Sequence, residues 1–400
     1  MVPLSVPTSS AIADRLARLD DLLETHADLW RPQVYKLESP AWCERHPQLV
    51  ANLLALPDHD VDVLMADHGA LIDFVARAVP TIRRAAPLIE LPPSENHGLP
   101  QPGPHAMRDV PGRKAAQIER FAAAVGHCAM PVVEWCAGKG HLGRRLALSY
   151  GALVTSLEVD ARLCDEGRAL ARRDGIDTQR FVTVDVSGPF ARGHLRERHA
   201  VALHACGDLH RALLEQAVED GAGAIHLAPC CYHKVATPAR AVMGDPGSVM
   251  LSRNDLRLAV SDAATAAPRE IMAARLESAW MLGFRAVVAG ERQSMRLSGH
   301  RHAKIPCEGG FRNYCEQSAS HAGLAIDSDI DWAAAEREAI ALEHRVRRLA
   351  LPRLAFRRVI ETRLVFDRAR FLEQHGYRVS VSQFCERRLT PRNILIAAVR

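Results

Sequence analysis

Pro131-Val132-Val133-Glu134-Trp135-Cys136-Ala137-Gly138-Lys139-Gly140-His141-Leu142-Gly143 decides how this chain folds. An apolar run stops in a glycine turn and resumes with helical spacing, which predicts a strand, a tight loop and a helix in that order. The glycines stand as G-x-G-x-x-G, so the backbone can turn sharply, approach a ligand without Cβ atoms in the way and pack the helix on the sheet. About 18 residues beyond the turn, Ala152-Leu153-Val154-Thr155-Ser156-Leu157 ends in Glu158. A ribose-binding carboxylate is expected ~20 residues on. Together these segments read as the βαβ half of a nucleotide-cofactor fold.

Two cofactor classes use such a turn, and the surrounding charges separate them. Glu134 sits in the first strand, four residues before Gly138. A carboxylate there repels a pyrophosphate but favours a sulfonium amino acid with its α-ammonium. Asp185, closing the short run Phe181-Val182-Thr183-Val184, is placed to accept from an adenine amino group. S-adenosylmethionine is therefore the expected cofactor, in preference to a dinucleotide.

With 400 residues, 48% of them hydrophobic and 24% charged, the chain can build two or more cores. No uncharged apolar stretch of about 18 residues occurs, so no transmembrane helix is expected. Met1-Val2-Pro3-Leu4-Ser5-Val6-Pro7 lacks the basic and apolar regions of a secretory signal. The ten cysteines do not form the short, even framework of a secreted scaffold, which makes a reducing cytoplasm the expected location. Residues 1–130 hold 12 Lys and Arg against 16 Asp and Glu, and the rest hold 39 against 31. The positive charge thus gathers in the catalytic part, densest at Arg345, Arg347, Arg348, Arg353, Arg357 and Arg358, with His300, Arg301, His302 and Lys304 as a smaller group. The Arg345–Arg358 region is the expected contact for RNA, against the alternative of arginines on the wet face of a helix.

Along the chain, helical spacing runs through 9–30 and 47–85, and a Pro- and Gly-rich stretch from Leu91 to His105 reads as a linker. A helix over 113–125 follows. Strands are then expected at 131–136, 152–158, 181–185, 200–205 and 223–228, with helices at 141–149, 161–173 and 209–219. This alternation implies a Rossmann-like α/β sheet, mostly parallel, with helices on both faces and ligands at the carboxyl ends of its strands. Residues 235–372 are mostly helical and read as an insertion between strands five and six. Strands at 376–381 and 393–399 form an antiparallel pair across a turn with Pro391. The expected division is a helical region and linker over 1–110 and a catalytic domain over 111–400.

Two motifs fall where strand ends should line the cleft: His204-Ala205-Cys206-Gly207-Asp208-Leu209 and Ala228-Pro229-Cys230-Cys231-Tyr232-His233-Lys234. His204, Cys206, Cys230, Cys231 and His233 have the right chemistry for zinc, but without C-x₂₋₄-C spacing no metal is expected. A thiol activated by His233 or Lys234 would suit attack on a pyrimidine carbon. Cysteines that merely fill space are the bland alternative, and Cys206 is read that way.

The combination of Glu134-Trp-Cys-Ala-Gly138-Lys-Gly140-His141, Val201-Ala-Leu-His204-Ala-Cys206-Gly-Asp208-Leu209 and Pro229-Cys230-Cys231-Tyr-His233 resembles the methyltransferase domain of glutathione S-transferase C-terminal-domain-containing proteins and related methyltransferase-like proteins. Phe366-Asp367-Arg368-Ala-Arg370, His375-Gly-Tyr377 and Thr390-Pro-Arg-Asn393 are similar to that family's closing segment, so the resemblance spans about 110–400. Residues 1–110 do not resemble the transferase-like module. The His-x-Cys-Gly and Cys-Cys-x-His pair is more distantly similar to a family of tRNA ribose 2′-O-methyltransferases. The resemblance implies a class I methyltransferase fold. It places Glu134, Gly138 and Gly140 around the methionine moiety, Glu158 on the ribose, Asp185 near adenine and the backbone of His204 and Ala205 at the rest of the pocket. Cys136 stands where a first glycine is usual, and only a slightly tighter turn is expected from it. Lys114 is a candidate for the cofactor carboxylate.

Methyl transfer from a sulfonium needs alignment more than covalent help. For a hydroxyl or amine acceptor, Asp208 or His233 is the candidate base. For a pyrimidine carbon, Cys230 or Cys231 would attack first. Two other classes compete: an NAD-linked oxidoreductase, which Glu134 and the terminal strand pair oppose, and a non-catalytic interaction protein that keeps the cofactor fold.

Overall fold

The computed structural model describes residues 9–36, 39–100, 107, 109–188, 192–244, 249–261, 268–288, 307, 309–327 and 329–400. The smaller basic group at His300, Arg301, His302 and Lys304, the start Met1–Pro7 and the linker residues 101–106 lie outside them.

Seven strands form one sheet among the described residues: β1 (Val132–Trp135), β2 (Val154–Glu158), β3 (Gln179–Thr183), β4 (His199–Cys206), β5 (Ala224–Cys230), β6 (Arg378–Gln383) and β7 (Ile394–Val399). Their order is β3-β2-β1-β4-β5-β7-β6. The first five run parallel, and β7 pairs antiparallel with both β5 and β6. This is the sheet of the Rossmann-like class I methyltransferase fold. The order reverses between β1 and β4, which opens a crevice at the carboxyl ends of those strands. Val132, Val133 and Trp135 are at most 2% exposed, as expected of a central parallel strand covered on both faces.

Helix Gly112–Val125 presents Ile118, Phe121, Ala122 and Val125 to this core, where they meet Leu142, Leu146, Val154, Val201, Phe384 and Leu395. It ends at Gly126, whose φ of 68° closes the helix in the left-handed region. Helix Arg357–Gln374 packs on β6 and against helix Ser9–Thr25. Its charges are buried with their partners: Arg363 donates to both carboxylate oxygens of Asp20 at 2.8 and 3.3 Å, and Asp367 accepts the amides of Met243 and Gly244.

The chain packs as two compact units, one of Met1–Thr25, Arg84–Thr265 and Phe356–Arg400, the other of His26–Arg83 and Ala266–Ala355. This differs from the expected division at 110. The segment read as linker contributes to the sheet unit, because Gln383 donates to Pro92 O and Ser94 donates to Gln383 O, both at 2.8 Å, in an isolated bridge beside β6. Between β5 and β6 the described residues of 235–372 are mostly helical, but those up to 261 and those from 357 belong with the sheet unit. Strand β3 lies two residues earlier than expected, which leaves Asp185 in the turn after it.

The second unit is helical among its described residues. Helices Pro268–Val287, Gly310–Ala322 and Trp332–Leu349 enclose Trp280, Phe284, Phe311, Tyr314 and Ala339, and Trp280 Nε1 donates to Glu336 at 3.1 Å. Four of the six clustered arginines are here. Arg347 pairs with Asp62, Arg348 donates to Asp58 and to Leu56 O, and Arg353 donates to Trp30 O and Arg31 O. Arg345 is exposed. In the sheet unit, Arg357 and Arg358 are 3% and 8% exposed, and Arg358 bonds Glu361 and Asn393. The six therefore do not make the open basic patch expected of them: most are taken up by carboxylates and carbonyls. No helix among the described residues is long and apolar enough to cross a membrane.

Candidate active site

The glycine turn follows β1 directly. Ala137 donates to Leu157 O at 2.9 Å, tying the turn to β2, and Gly140 donates back to Ala137 O at 2.9 Å. Gly138 has φ 59°, and a Cβ built on it would meet nothing within 4 Å. Its face is open, as a backbone cradle requires. Gly143 is glycine for the opposite reason: a Cβ there would lie 2.6 Å from Glu134 Oε2 and 2.8 Å from Val154 Cγ1. Cys136 adopts φ 55°, a left-handed conformation that costs a residue with a Cβ about 1 kcal/mol. More than a slight tightening is present, since the side chain is held in a region that glycine enters freely. Burial pushes the Cys136 thiol up to about 12.

Glu134 is 4% exposed on β1. Its carboxylate accepts from Ser156 Oγ at 2.7 Å and from the amides of Gly143 and Leu142. Burial raises its carboxyl to about 7, against the opposing pull of those bonds and of Lys114. It therefore acts on a ligand through its field, from beneath the loop. Burial lowers the Lys114 ammonium, while Glu134 and Cys230 raise it. Glu158, half-buried at the end of β2, accepts from Gly138 N at 2.8 Å, Val159 N at 2.9 Å and Asp160 N at 3.1 Å. A carboxylate has about four acceptor positions, so one is left for a hydroxyl. Asp185 is exposed and accepts both the amide and the hydroxyl of Ser187 through Oδ1, which lowers its carboxyl.

The ends of β4 and β5 meet beside this turn. At His204 the ladder slips, with φ 67° and a register shift between Leu203 and Ala205. Its Nε2 pairs with Gln117 Oε1 at 3.1 Å, its Nδ1 is buried without a hydrogen-bond partner, and burial lowers the imidazole to about 4. Ala205 O receives His210 Nδ1 at 3.2 Å. Gly207 lies against Lys234 O so closely that no Cβ fits. Asp208 N donates to Lys234 O at 3.0 Å and its Oδ2 accepts Ala236 N at 2.6 Å, so this carboxylate fastens the loop after β5. Cys230 is 4% exposed with its thiol raised by its contacts with Cys206 and Cys231, and it donates to His204 O at 3.2 Å. Cys206 is half-buried, 3.3 Å from Cys230 Sγ, which does not fit the reading of a buried space-filler. Cys231 is half-buried with φ 46°. His233 is half-buried, lowered by desolvation, with Nδ1 buried and lacking a hydrogen-bond partner.

Glu134, Gly138, Gly140, Glu158, His204, Ala205, Asp208, Cys230, Cys231 and His233 thus all lie on the glycine turn, strand β1 or the carboxyl ends of β2, β4 and β5, with Asp185 in the turn just beyond β3. Residues 113–238 match the family model described as a methyltransferase domain. The match runs from the helix before β1 to the loop after β5 and takes in every one of these positions. The cofactor of that domain class is S-adenosylmethionine. Among solved structures, geranyl diphosphate methyltransferase in complex with GPP and sinefungin is 19% identical with a TM-score of 0.25, over 34% of this chain and 54% of that one. EvdMO1 is 19% identical with a TM-score of 0.25, over 46% and 41%. Coclaurine N-methyltransferase bound to N-methylheliamine and SAH is 13% identical with a TM-score of 0.28, over 79% and 95%. The chain thus spans about half the length of the first two.

Several residues of the site carry no motif. Ser156 stands opposite Glu134 in the β1–β2 register, and Gln179 bonds both Ser156 Oγ and Gly140 O at 2.9 Å. Their signal was the strand alignment, which a single motif does not contain. Gln117 sits on the helix before β1 and reaches His204 across 87 residues of chain.

Proposed function

We propose that the protein transfers a methyl group from S-adenosylmethionine to RNA. What carries the reading is the open backbone at Gly138, anchored to Glu158, at the point where the strand order reverses. The site has what the cofactor needs: an uncovered turn, one unused acceptor on Glu158 for a ribose hydroxyl, and buried negative charge at Glu134 for a cationic amino acid. Bound there, S-adenosylmethionine would supply an electrophilic methyl on its sulfonium. Glu134 stabilises the cation, Glu158 fixes the ribose, Asp185 is within the adenine end, and the backbone of His204 and Ala205 closes the pocket.

The residues of the β4 and β5 ends then serve the acceptor. His233 is the favoured base, because its lowered imidazole is neutral near pH 7 and can take a hydroxyl proton. Asp208 serves by fastening the loop that carries His233. The buried, raised thiol of Cys230 argues against attack on a pyrimidine ring by that residue. Support for an RNA acceptor comes from the paired cysteine motifs. The Arg345–Arg358 region adds little to it, since most of those arginines are already partnered.

Calorimetry with S-adenosylmethionine, S-adenosylhomocysteine and NAD, with Glu158→Ala as control, tests the cofactor. Binding of the two adenosyl ligands that is lost in the variant is expected; NAD binding alone would overturn the reading. Methyl label transferred to RNA by the wild type, and reduced at least tenfold in His233→Ala with cofactor affinity kept, is the expected second result. Label in protein or small molecules only would remove RNA as the acceptor.

A further inference from the structure

The sulfur atoms of Cys206, Cys230 and Cys231 all lie within 4.8 Å of one another. Cys206 and Cys230 are paired across β4 and β5, and their Sγ atoms are 3.3 Å apart. A disulfide would bring them to about 2.05 Å. Sulfurs around one tetrahedral zinc, each at about 2.3 Å from the ion, stand about 3.8 Å apart. The cluster is therefore close to the size of a metal site.

The backbone holds this convergence in place. Gly207 N donates to Cys230 O at 3.1 Å, Asp208 N to Lys234 O at 3.0 Å and Lys234 N to Cys231 O at 2.8 Å. Arg253 clamps the same loop from outside, donating to His233 O at 2.8 Å and Val235 O at 2.9 Å. Cys231 is held at φ 46°, strain that a residue filling space has no reason to carry. Cys206 and Cys231 are only half-buried, and Lys234 and Lys114 supply positive charge around the thiols. Cysteines that only pack sit in apolar, uncharged surroundings.

We propose that Cys206, Cys230 and Cys231 bind one thiophilic divalent cation of the zinc type through three thiolates, with its fourth position open to water or another small donor. Binding releases the thiol protons, and three thiolates with one dication leave a single negative charge facing the Lys234 side. In the metal-free chain the Cys230 thiol donates to His204 O at 3.2 Å, a hydrogen bond that is given up when the thiolate takes the cation. The sequence hides the site because Cys206 and Cys230 are brought together by parallel strand pairing instead of by a short Cys-x-x-Cys loop. The proposal does not depend on methyl transfer, and its readouts are separate from activity.

The test uses the full chain, stripped with a chelator and titrated with Co²⁺ and then Zn²⁺. One equivalent of Co²⁺ with a thiolate-to-cobalt charge-transfer band and tetrahedral visible absorption is expected, displaced by Zn²⁺. Cys206→Ser, Cys230→Ser and Cys231→Ser should each weaken Zn²⁺ at least tenfold. An unchanged cobalt spectrum in the combined triple variant, or none in the wild type, would overturn the proposal. Should the variants fail to fold, maleimide labelling of the wild type with peptide mapping decides instead. Zn²⁺ should protect these three cysteines and leave the labelling of Cys43 unchanged, and equal labelling with and without Zn²⁺ overturns the site. Binding of S-adenosylhomocysteine, measured alongside, reports on the methyltransferase reading independently.

Discussion

Glu134 and Gly143 form one contact seen from two sides: the glycine is bare because the carboxylate fills the space beside it. Gly143→Ala would drive a methyl to 2.6 Å from Glu134 Oε2 and 2.8 Å from Val154 Cγ1, overpacking that costs about 1–3 kcal/mol. A lowered urea midpoint, with weaker S-adenosylmethionine binding, is the expected result; an unchanged midpoint would show that the helix can lift. Glu134 also gives the chain a distinct pH response. Its carboxyl is raised from 4.5 to about 7, so between those values the folded chain holds a proton that the unfolded chain has released. Its contribution to stability is present below pH 4.5 and is lost as pH rises through 7, about 3 kcal/mol in all. Comparing the stability of wild type and Glu134→Gln from pH 5 to 8 isolates this slope, which should vanish in the variant. The turn itself was legible because everything that makes it is local: an apolar run, glycines at fixed offsets and a carboxylate at the next strand end. The embedding of Glu134 was not, since Ser156 and Gln179 come from other strands.

Helix Arg357–Gln374 shows the limit of reading an element from its own residues. Its charges suggested a solvated helix in an insertion, yet Arg363 is 0% exposed because its partner, Asp20, comes from 343 residues away. Arg363→Met leaves Asp20 buried without its partner, and a loss of about 3–5 kcal/mol is expected. Adding Asp20→Leu should recover most of it, since a buried pair can often be replaced by apolar groups at little cost. A double-mutant cycle by urea denaturation measures the difference, and additive losses would show the pair to be uncoupled. Strands β1, β2, β4, β5, β6 and β7 were legible to within two residues at most ends from apolar runs bounded by glycine or polar turns. The three-thiol cluster was half-legible: its residues stood out, but their convergence depends on the register of β4 against β5.

Across the whole molecule, burial holds a set of imidazoles neutral. His141, His199 and His204 are each lowered to about 4, and His210 and His226 fall well below the usual value. His199 and His226 bond each other at 2.8 Å on adjacent strands, which requires at least one of them uncharged. Each group has its stability contribution in full above pH 6.5 and loses it as pH falls toward 4. Glu134 and Asp367, both raised, oppose this, but they are fewer than the lowered imidazoles, so across these groups unfolding near pH 5 should take up protons net. Urea unfolding at pH 7, 6 and 5 should show steeply falling stability; a flat profile would mean that water reaches these rings. The division into units was the least legible feature at this scale, because both are built from separate stretches of chain.

That interleaving has a consequence for synthesis. The parallel strands are made first, but β7, which lies between β5 and β6, and the helix that covers β6 come only from residues 357–399. Until then β5 presents an unpaired edge. Residues 26–83 likewise wait for 266–355 before their unit can close. Neither core is complete until its distant segments have been made, so folding is rate-limited by contacts between stretches far apart in the chain.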